Sequence, residues 1–342
     1  MAADGKRPTT VVTDSPLLTI KDLNIFFRKK ETPLAAVSNL ELDIRPGETF
    51  GLAGESGCGK SITALSIMGL LPGTAYATGK ILFTLPMTGR ETDILNLDES
   101  TLRSIRGKEM GMVFQEPMTS LNPVFTIGYQ ISEVLTTHEG LSGKEATGRT
   151  VELLRLVHIP SPEHRIKDYP HQLSGGMRQR VMIAMAVACN PSLLIADEPT
   201  TALDVTIQAE ILNLLLDIKE ERGMSILLIT HDLAIISENA DRVAIMYAGR
   251  IVEIAPVDKL FRKPAHPYTL GLLHSLPVAR NIQLKPIPGS VPAPDELPPG
   301  CKFSTRCTYR TEVCDLEEPP LQRIEPDHLV RCIRVEDVIR QG

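Results

Sequence analysis

The sequence predicts an α/β protein built around a mainly parallel sheet. It also predicts an antiparallel β portion near the N-terminus, a helical portion in the middle and a small loop-rich, cysteine-bearing C-terminal extension. Three observations carry this. Short β-type apolar runs alternate with longer stretches of helical spacing. Leu193-Leu194-Ile195-Ala196 is fully apolar and too short for a helix, as buried parallel strands are. Four of the six cysteines, with a dense group of prolines, crowd toward the end of the chain.

In chain order, residues 1–14 are polar and aperiodic and read as a flexible tail. Residues 17–27 and 36–44 have the character of antiparallel strands. Residues 49–53 give a short strand ending in glycines, and 61–71 the helix that follows. A strand is predicted at 110–114, helices at 127–138 and 144–157, and a longer buried helix at 174–189. The strand at 193–196 is bounded by Pro191 and by Asp197-Glu198-Pro199. A helix over 205–221, a strand over 225–229 and a helix over 233–239 complete the alternation. Pro286, Pro288, Pro292, Pro294, Pro298 and Pro299 are too dense for a helix or a central strand and read as a linker.

Composition narrows the class. At about 100–200 residues per domain, 342 residues suggest two domains or three. With 42% apolar and 23% charged residues, wholesale disorder, collagen and coiled coil are excluded. The net charge of −6 argues against a dedicated nucleic-acid binder. Eight Phe, six Tyr and no Trp leave little stock for a base-stacking platform or an aromatic membrane belt. No apolar run approaches the roughly 18–20 residues of a membrane-spanning helix. The N-terminus has no apolar core behind its charges, so the chain is expected to stay in the cytoplasm. Its cysteines are then reduced thiols or metal ligands, not disulfides.

Gly54-Glu55-Ser56-Gly57-Cys58-Gly59-Lys60-Ser61 fits G-x-x-x-x-G-K-[ST] at every fixed position, after a predicted strand and opening a predicted helix. Glycines let the backbone curl so that successive N–H groups face phosphate oxygens, and the helix N-terminus adds roughly half a positive charge. Lys60 is expected to reach the β- and γ-phosphates and Ser61 to bind Mg²⁺. The nucleotide-binding set is these eight residues, carried one further to position 62. Asp197 and Glu198 emerge where α/β sheets place ligands. Asp197 is expected to hold Mg²⁺, directly or through water, and Glu198 to polarise the attacking water. Cys58 stands beside Lys60 at a helix N-terminus, a setting that lowers a thiol's pKa and predicts a reactive thiolate. The alternative is a small residue in a tight loop.

Leu173-Ser174-Gly175-Gly176-Met177-Arg178-Gln179-Arg180, between the phosphate loop and Asp197-Glu198, resembles the signature motif of ABC-transporter ATPases. Gln115 is similar to the Q-loop glutamine, Thr201-Ala202-Leu203-Asp204 to the D-loop and His231 to the switch histidine. The resemblance covers roughly residues 16–265. It implies the α/β P-loop NTPase fold of that family, with antiparallel β and helical subdomains. It implies catalysis by Glu198, His231 and Lys60, and a Gln115 that binds Mg²⁺ and senses the membrane partner. Phe27 resembles the aromatic that stacks on adenine; a plain core residue is the alternative. Ser174 and the following glycines open a helix and so form a second anion site. In the family that site faces the γ-phosphate held by the other subunit, and nucleotide joins the dimer. The chain thus divides into a tail (residues 1–14), an ATPase domain (15–265, its helical subdomain at about 115–190) and an extension (266–342).

Residues 114–123 and 266–277, with the tail at 289–314, resemble the ATP-binding subunits of dipeptide/oligopeptide importers. That group also includes nickel, glutathione and antimicrobial-peptide systems. The implied assembly has two membrane-spanning permease subunits, a second ABC ATPase subunit in a homo- or heterodimer, and an extracytoplasmic substrate-binding protein. It places the chain peripherally on the cytoplasmic face of the inner membrane, with no nucleic-acid partner. Two rivals from other classes are a soluble ABC ATPase working on nucleic acid and a non-catalytic nucleotide-binding regulator. The acidic charge opposes the first; intact Glu198, Ser174-Gly175-Gly176 and His231 oppose the second.

The C-terminal cysteines run C-x5-C-x6-C-x17-C, without the close pairs of structural zinc sites. Four thiolates on wide loops suit a [4Fe–4S] cluster. The resemblance agrees, because several peptide-importer ATPases carry such a cluster at this spacing. A zinc site and four reduced thiols are the alternatives. Lys302, Arg306, Arg310 and Arg331 are expected either to offset the cluster's charge or to be solvated. The ATPase motifs are complete by His231, so the extension is expected to stand apart from ATP chemistry. The cofactor set is therefore ATP, Mg²⁺ and a [4Fe–4S] cluster.

Overall fold

The computed structural model describes residues 15–29, 32–116, 120–201, 203–276 and 287–341. The N-terminal tail (residues 1–14), Ala202, residues 117–119 and residues 277–286, which begin the proline-rich stretch, lie outside the described residues.

Two sheets set the frame. In the smaller, β1 (Leu18–Phe27) pairs antiparallel with β2 (Leu34–Ile44), Leu18 opposite Ile44 and Phe27 opposite Leu34. β1 also pairs antiparallel with β4 (Ala75–Leu85), which carries β5 (Arg90–Asp93) on its far edge. In the larger, β3 (Thr49–Ala53) lies between β8 (Ser225–Thr230) and β9 (Arg242–Tyr247), parallel to both. β7 (Leu193–Asp197) and β6 (Met110–Val113) continue the parallel run beyond β8. On the other side, β10 (Arg250–Pro256), β12 (His328–Val330) and β11 (Gln322–Glu325) add antiparallel strands, giving the order β11-β12-β10-β9-β3-β8-β7-β6 among the described residues.

The parallel strands are buried along their length, with mainly apolar side chains, because both faces are covered. Successive side chains point to opposite sides. Leu194, Ala196, Ile226, Leu228, Val243 and Ile245 enter a core shared with helices. Leu193, Ile195, Leu227, Ile229, Ala244 and Met246 enter a second core against the small sheet and the helix Lys60–Ile67. The helical portion packs on the first core. Ile127, Ile131 and Leu135 recur every four residues along the helix Ile127–Glu139, so they share one face, and all three are buried. The next helix, Gly143–Leu156, starts with a capping box between Ser142 and Glu145.

The strands at 49–53, 110–114, 193–196 and 225–229 and the helices between them match their predicted places to within a few residues at the ends. β4, β5, β9 and β10 have no counterpart in the sequence reading. β4 and β5 are hairpin neighbours, as are β9 and β10, but alternation is weak in β4 and absent from the fully buried β9.

The C-terminal extension is integral to the main sheet. β12 pairs with β10, Glu253 opposite Val330. The fully buried Glu253 carboxylate accepts from Ala265 N at 2.8 Å, His266 N at 3.0 Å and His328 Nε2 at 2.8 Å. Those donors offset a burial that would otherwise be costly. Burial pushes His266 down to about 3, so its neutral Nδ1 accepts from Tyr268 N at 3.0 Å.

Candidate active site

β3 runs through the middle of the parallel sheet and ends at Gly54, where the chain turns over the start of the helix Lys60–Ile67. Glycine is obligatory at two points of that turn. Gly54 has φ 155°, and a Cβ there would lie 2.1 Å from the Met246 carbonyl oxygen. Gly59 has φ 111°, with Met246 Cε 2.7 Å from where its Cβ would be. The loop curls around Lys60. Lys60 is buried, 5% exposed, and its ammonium donates to the Gly54 carbonyl at 2.8 Å and the Glu55 carbonyl at 3.1 Å.

Ser61 Oγ donates to Asp197 Oδ1 at 3.2 Å. Asp197 closes β7, one strand removed from β3 across β8. Burial raises its carboxyl above the usual carboxylate range, with the Ser61 hydroxyl opposing. A hydroxyl and a carboxylate, both hard oxygen donors, side by side at a phosphate loop fit Mg²⁺.

Glu198 collects the remaining groups. Its backbone is left-handed, φ 46°, a conformation that costs a non-glycine residue about 1–3 kcal/mol and needs surrounding structure to hold it. That support includes its own N–H, which donates to Ile229 O at 2.9 Å. Glu198 Oε2 accepts from Gln115 Nε2 at 3.0 Å and Thr201 Oγ1 at 2.8 Å, and Oε1 meets His231 Nδ1 at 3.1 Å. Burial raises the Glu198 carboxyl, but hydrogen bonds from His231 and Thr201 and the His231 and Lys60 charges outweigh it. The group is held below the usual carboxylate range and is an ionised, oriented carboxylate.

Phe27 lines the same cleft as Ser56, Gly57, Lys60, Ser61, Gln115 and Glu198, a cavity of about 330 Å³. That volume is within the range of small-molecule sites. Phe26 faces elsewhere and stacks on Tyr76 at 5.3 Å. Position 62 is an isoleucine; Ile62 lines the cleft and brings no hydroxyl to it. The structure therefore brings the phosphate loop, Asp197, Glu198, Gln115, His231 and Phe27 together. Ser174, Gly175 and Gly176 are not part of this cleft. Ser174 caps the helix Gly175–Ala186, accepting from Met177 N at 3.3 Å. Asp204 stands at the N-cap of the helix Val205–Arg222. The Thr201 hydroxyl on Glu198 is a contact that the sequence reading missed, although the spacing of three residues held the hint.

Two expectations are corrected. Cys58 is 1% exposed, and burial pushes its thiol up despite the Lys60 charge, so it is not the activated thiolate predicted from its position. The [4Fe–4S] assignment also fails. Among the described residues, no group of three or more His, Cys, Asp or Glu side chains is arranged to hold a metal ion. Cys301, Cys307, Cys314 and Cys332 line one small apolar cavity as free cysteines. Burial raises Cys301, pushes Cys307 up to about 11 and Cys332 up to about 12, so these are protonated, packed thiols. The nearby cations are committed elsewhere. Lys302 donates to the Pro298 carbonyl at 2.8 Å, and Arg331 to the Ile251 and Pro319 carbonyls. Arg310 pairs with Asp315 at 2.8 Å, and Arg306 with Glu55 at 2.8 Å.

A phosphate loop between a parallel strand and a helix, flanked by Ser61–Asp197 and the oriented Glu198, defines a P-loop nucleoside-triphosphate hydrolase. Comparison with known proteins narrows this. Residues 37–201 match the family described as ABC transporter, and residues 252–314 the family described as oligopeptide/dipeptide transporter, C-terminal region. The oligopeptide transport ATP-binding protein AppD of Bacillus subtilis is 52% identical, over 94% of this chain and 98% of that protein. The dipeptide transport ATP-binding protein DppD of Haemophilus influenzae is 50% identical, over 90% and 92%. A solved dimeric ATP-binding cassette in a post-hydrolysis state with ADP and Pi superposes with a TM-score of 0.61 at 30% identity, covering 70% of this chain and 98% of that one. The solved cbiO1 of Clostridium perfringens, part of an ABC transporter complex, gives 0.60 at 28% identity, covering 73% and 92%. The chain belongs to the ABC transporter family, as one of its ATP-binding subunits.

Proposed function

We propose that this chain hydrolyses ATP to power peptide import through a membrane complex. The observation that carries the hydrolytic reading is the Glu198 carboxylate, ionised and held by Gln115, Thr201 and His231 beside the phosphate loop. A carboxylate so fixed polarises a water toward the γ-phosphate, while Lys60 and the loop N–H groups bind the phosphate oxygens. Ser61 and Asp197 would hold Mg²⁺, which would supply neutralisation of phosphate charge there. His231 keeps the carboxylate oriented, and Phe27 stacks on the base. The peptide assignment is supported by the transport named for AppD and DppD and by the C-terminal family match.

The active unit of this proposal is a dimer of ATPase subunits. Ser174, Gly175 and Gly176 of one subunit face the γ-phosphate bound by the other. Their position outside their own cleft supports this, as does the dimeric state of the solved cassette with ADP and Pi. Permease subunits dock on the helical part, at about residues 115–158. Val124, Phe125 and Tyr129 are exposed there, with Phe125 stacked on Tyr129 at 4.7 Å, an apolar face suited to a protein partner. No helix among the described residues is long and apolar enough to cross a membrane. In this reading the chain sits peripherally on the cytoplasmic face, as the ATPase partner of the permeases. An extracytoplasmic binding protein completes the complex. The proposed division at about residue 265 falls inside the second of two separate family matches, 37–201 and 252–314. The test is uptake of a labelled oligopeptide by cells lacking this chain. Wild-type protein restores uptake and Glu198→Gln does not. Restoration by the variant, or none by wild type, would overturn the reading.

A further inference from the structure

The proline-rich stretch is expected from sequence to be a linker, yet its described part lies against the nucleotide cleft. Val291, Pro292, Pro294 and Leu297 line the same cavity as Phe27 and the phosphate loop. Lys29, two residues beyond Phe27, pairs with Asp295 at 3.4 Å, an exposed and therefore weak contact, but one that registers the stretch on the end of β1. The wall is apolar, as the face of a purine requires, and its rings and branched side chains offer no side-chain hydrogen-bonding group.

A second connection runs to the phosphate end. Arg306, its side chain 4% exposed, grips Glu55 with both terminal nitrogens, at 2.8 Å to Oε2 and 3.1 Å to Oε1. Its Nε donates to the Pro288 carbonyl at 2.8 Å, at the start of the wall. The guanidinium lies over the Tyr247 and Phe303 rings, 5.7 and 6.0 Å from their centroids. Glu55 is the second residue of the phosphate loop. Its N–H donates to Tyr268 Oη at 3.0 Å, and its carbonyl accepts from Lys60. The peptide on which Lys60 rests is thus held by side chains that come after residue 265.

We propose that the C-terminal extension is a component of the nucleotide site: residues 291–297 form a wall for the base and ribose of a purine nucleoside triphosphate, and Arg306 is a positioning residue that sets the phosphate loop through Glu55. The inference rests on the nucleotide reading of this cleft and adds the extension to it. A planar bidentate pair under a buried guanidinium fixes geometry as a lysine contact does not.

The test uses the full chain with Mg²⁺ and measures the KM for ATP, kcat and thermal melting for Arg306→Ala, Arg306→Lys and Leu297→Ser. Leu297 is only half-buried, so its substitution leaves folding intact. Expected are a KM raised about tenfold in Arg306→Ala, partial recovery in Arg306→Lys, and a KM raised several-fold in Leu297→Ser with unchanged melting. A purely structural role would lower melting temperature and active fraction while leaving KM alone. KM within twofold of wild type in both Arg306→Ala and Leu297→Ser overturns the inference. Failure of the wild-type chain to bind ATP at all overturns the nucleotide reading beneath it, a separate outcome read from the control.

Discussion

Replacing Glu198 by Gln separates charge from shape at the centre of the site. The amide is isosteric, and the hydrogen-bond pattern can be kept. Its carbonyl can take the place of Oε2, accepting from Gln115 at 3.0 Å and Thr201 at 2.8 Å, while its NH₂ faces the His231 ring nitrogen at the 3.1 Å position. Three contacts persist as neutral bonds, so the stability change should stay within about 1 kcal/mol. The charge that polarises water is gone. General-base catalysis contributes typically 10²–10⁴-fold, which at about 1.36 kcal/mol per tenfold raises the barrier by about 3–5 kcal/mol. The expected result is kcat down by at least a hundredfold with ATP affinity retained, measured by phosphate release and by equilibrium binding. The pH profile adds a check of sign. The wild-type carboxyl is held below the usual carboxylate range, so it loses its proton at lower pH than a free carboxylate. The acid limb of kcat should therefore fall below that range, and the Glu198→Gln variant should lack it. A kcat within threefold of wild type would place the base elsewhere and refute the argument.

The other predictions concern burial. Cys58 should be slow to react with maleimide at pH 7.5 in the native chain and fast after unfolding, because burial raises its thiol. Rapid native labelling mapped to Cys58 by mass spectrometry would show the thiol to be accessible and activated after all. Arg242 joins Asp43 at 3.0 Å and Glu48 at 3.2 Å, with Arg242 and Glu48 side chains each 6% exposed. Arg242→Ala strands a buried carboxylate, so denaturant unfolding should show a loss of about 3–5 kcal/mol. Burial already raises Glu48, and a raised carboxyl loses its stabilising contribution as pH rises through the folded value. The loss should be larger at pH 8 than at pH 5, and a loss below about 1 kcal/mol, or one independent of pH, counts against the account.

The strand–loop–helix at the phosphate site is legible because its reasons are local. Gly54 and Gly59 need backbone freedom within a few residues, and the apolar run ending at Asp197 declares a strand buried on both faces. The same locality made the helix at 127–138 legible. Where an effect depends on distant partners, sequence order carried no signal. Cys58 looked activated from its neighbours in sequence, but desolvation by the fold around it outweighs Lys60. The cysteine spacing suggested a cluster, yet among the described residues no group of side chains is arranged to hold a metal, burial raises the Cys307 and Cys332 thiols, and the adjacent cations are already paired with carboxylates and carbonyls. The proline stretch looked like a linker until Arg306 met Glu55 across 251 residues of chain. Periodicity and glycine placement by themselves determined the sheet's parallel core and the nucleotide loop. Only the tertiary structure decided the charge states and the walls of the site, because desolvation and ion pairing are set by what packs from elsewhere in the chain.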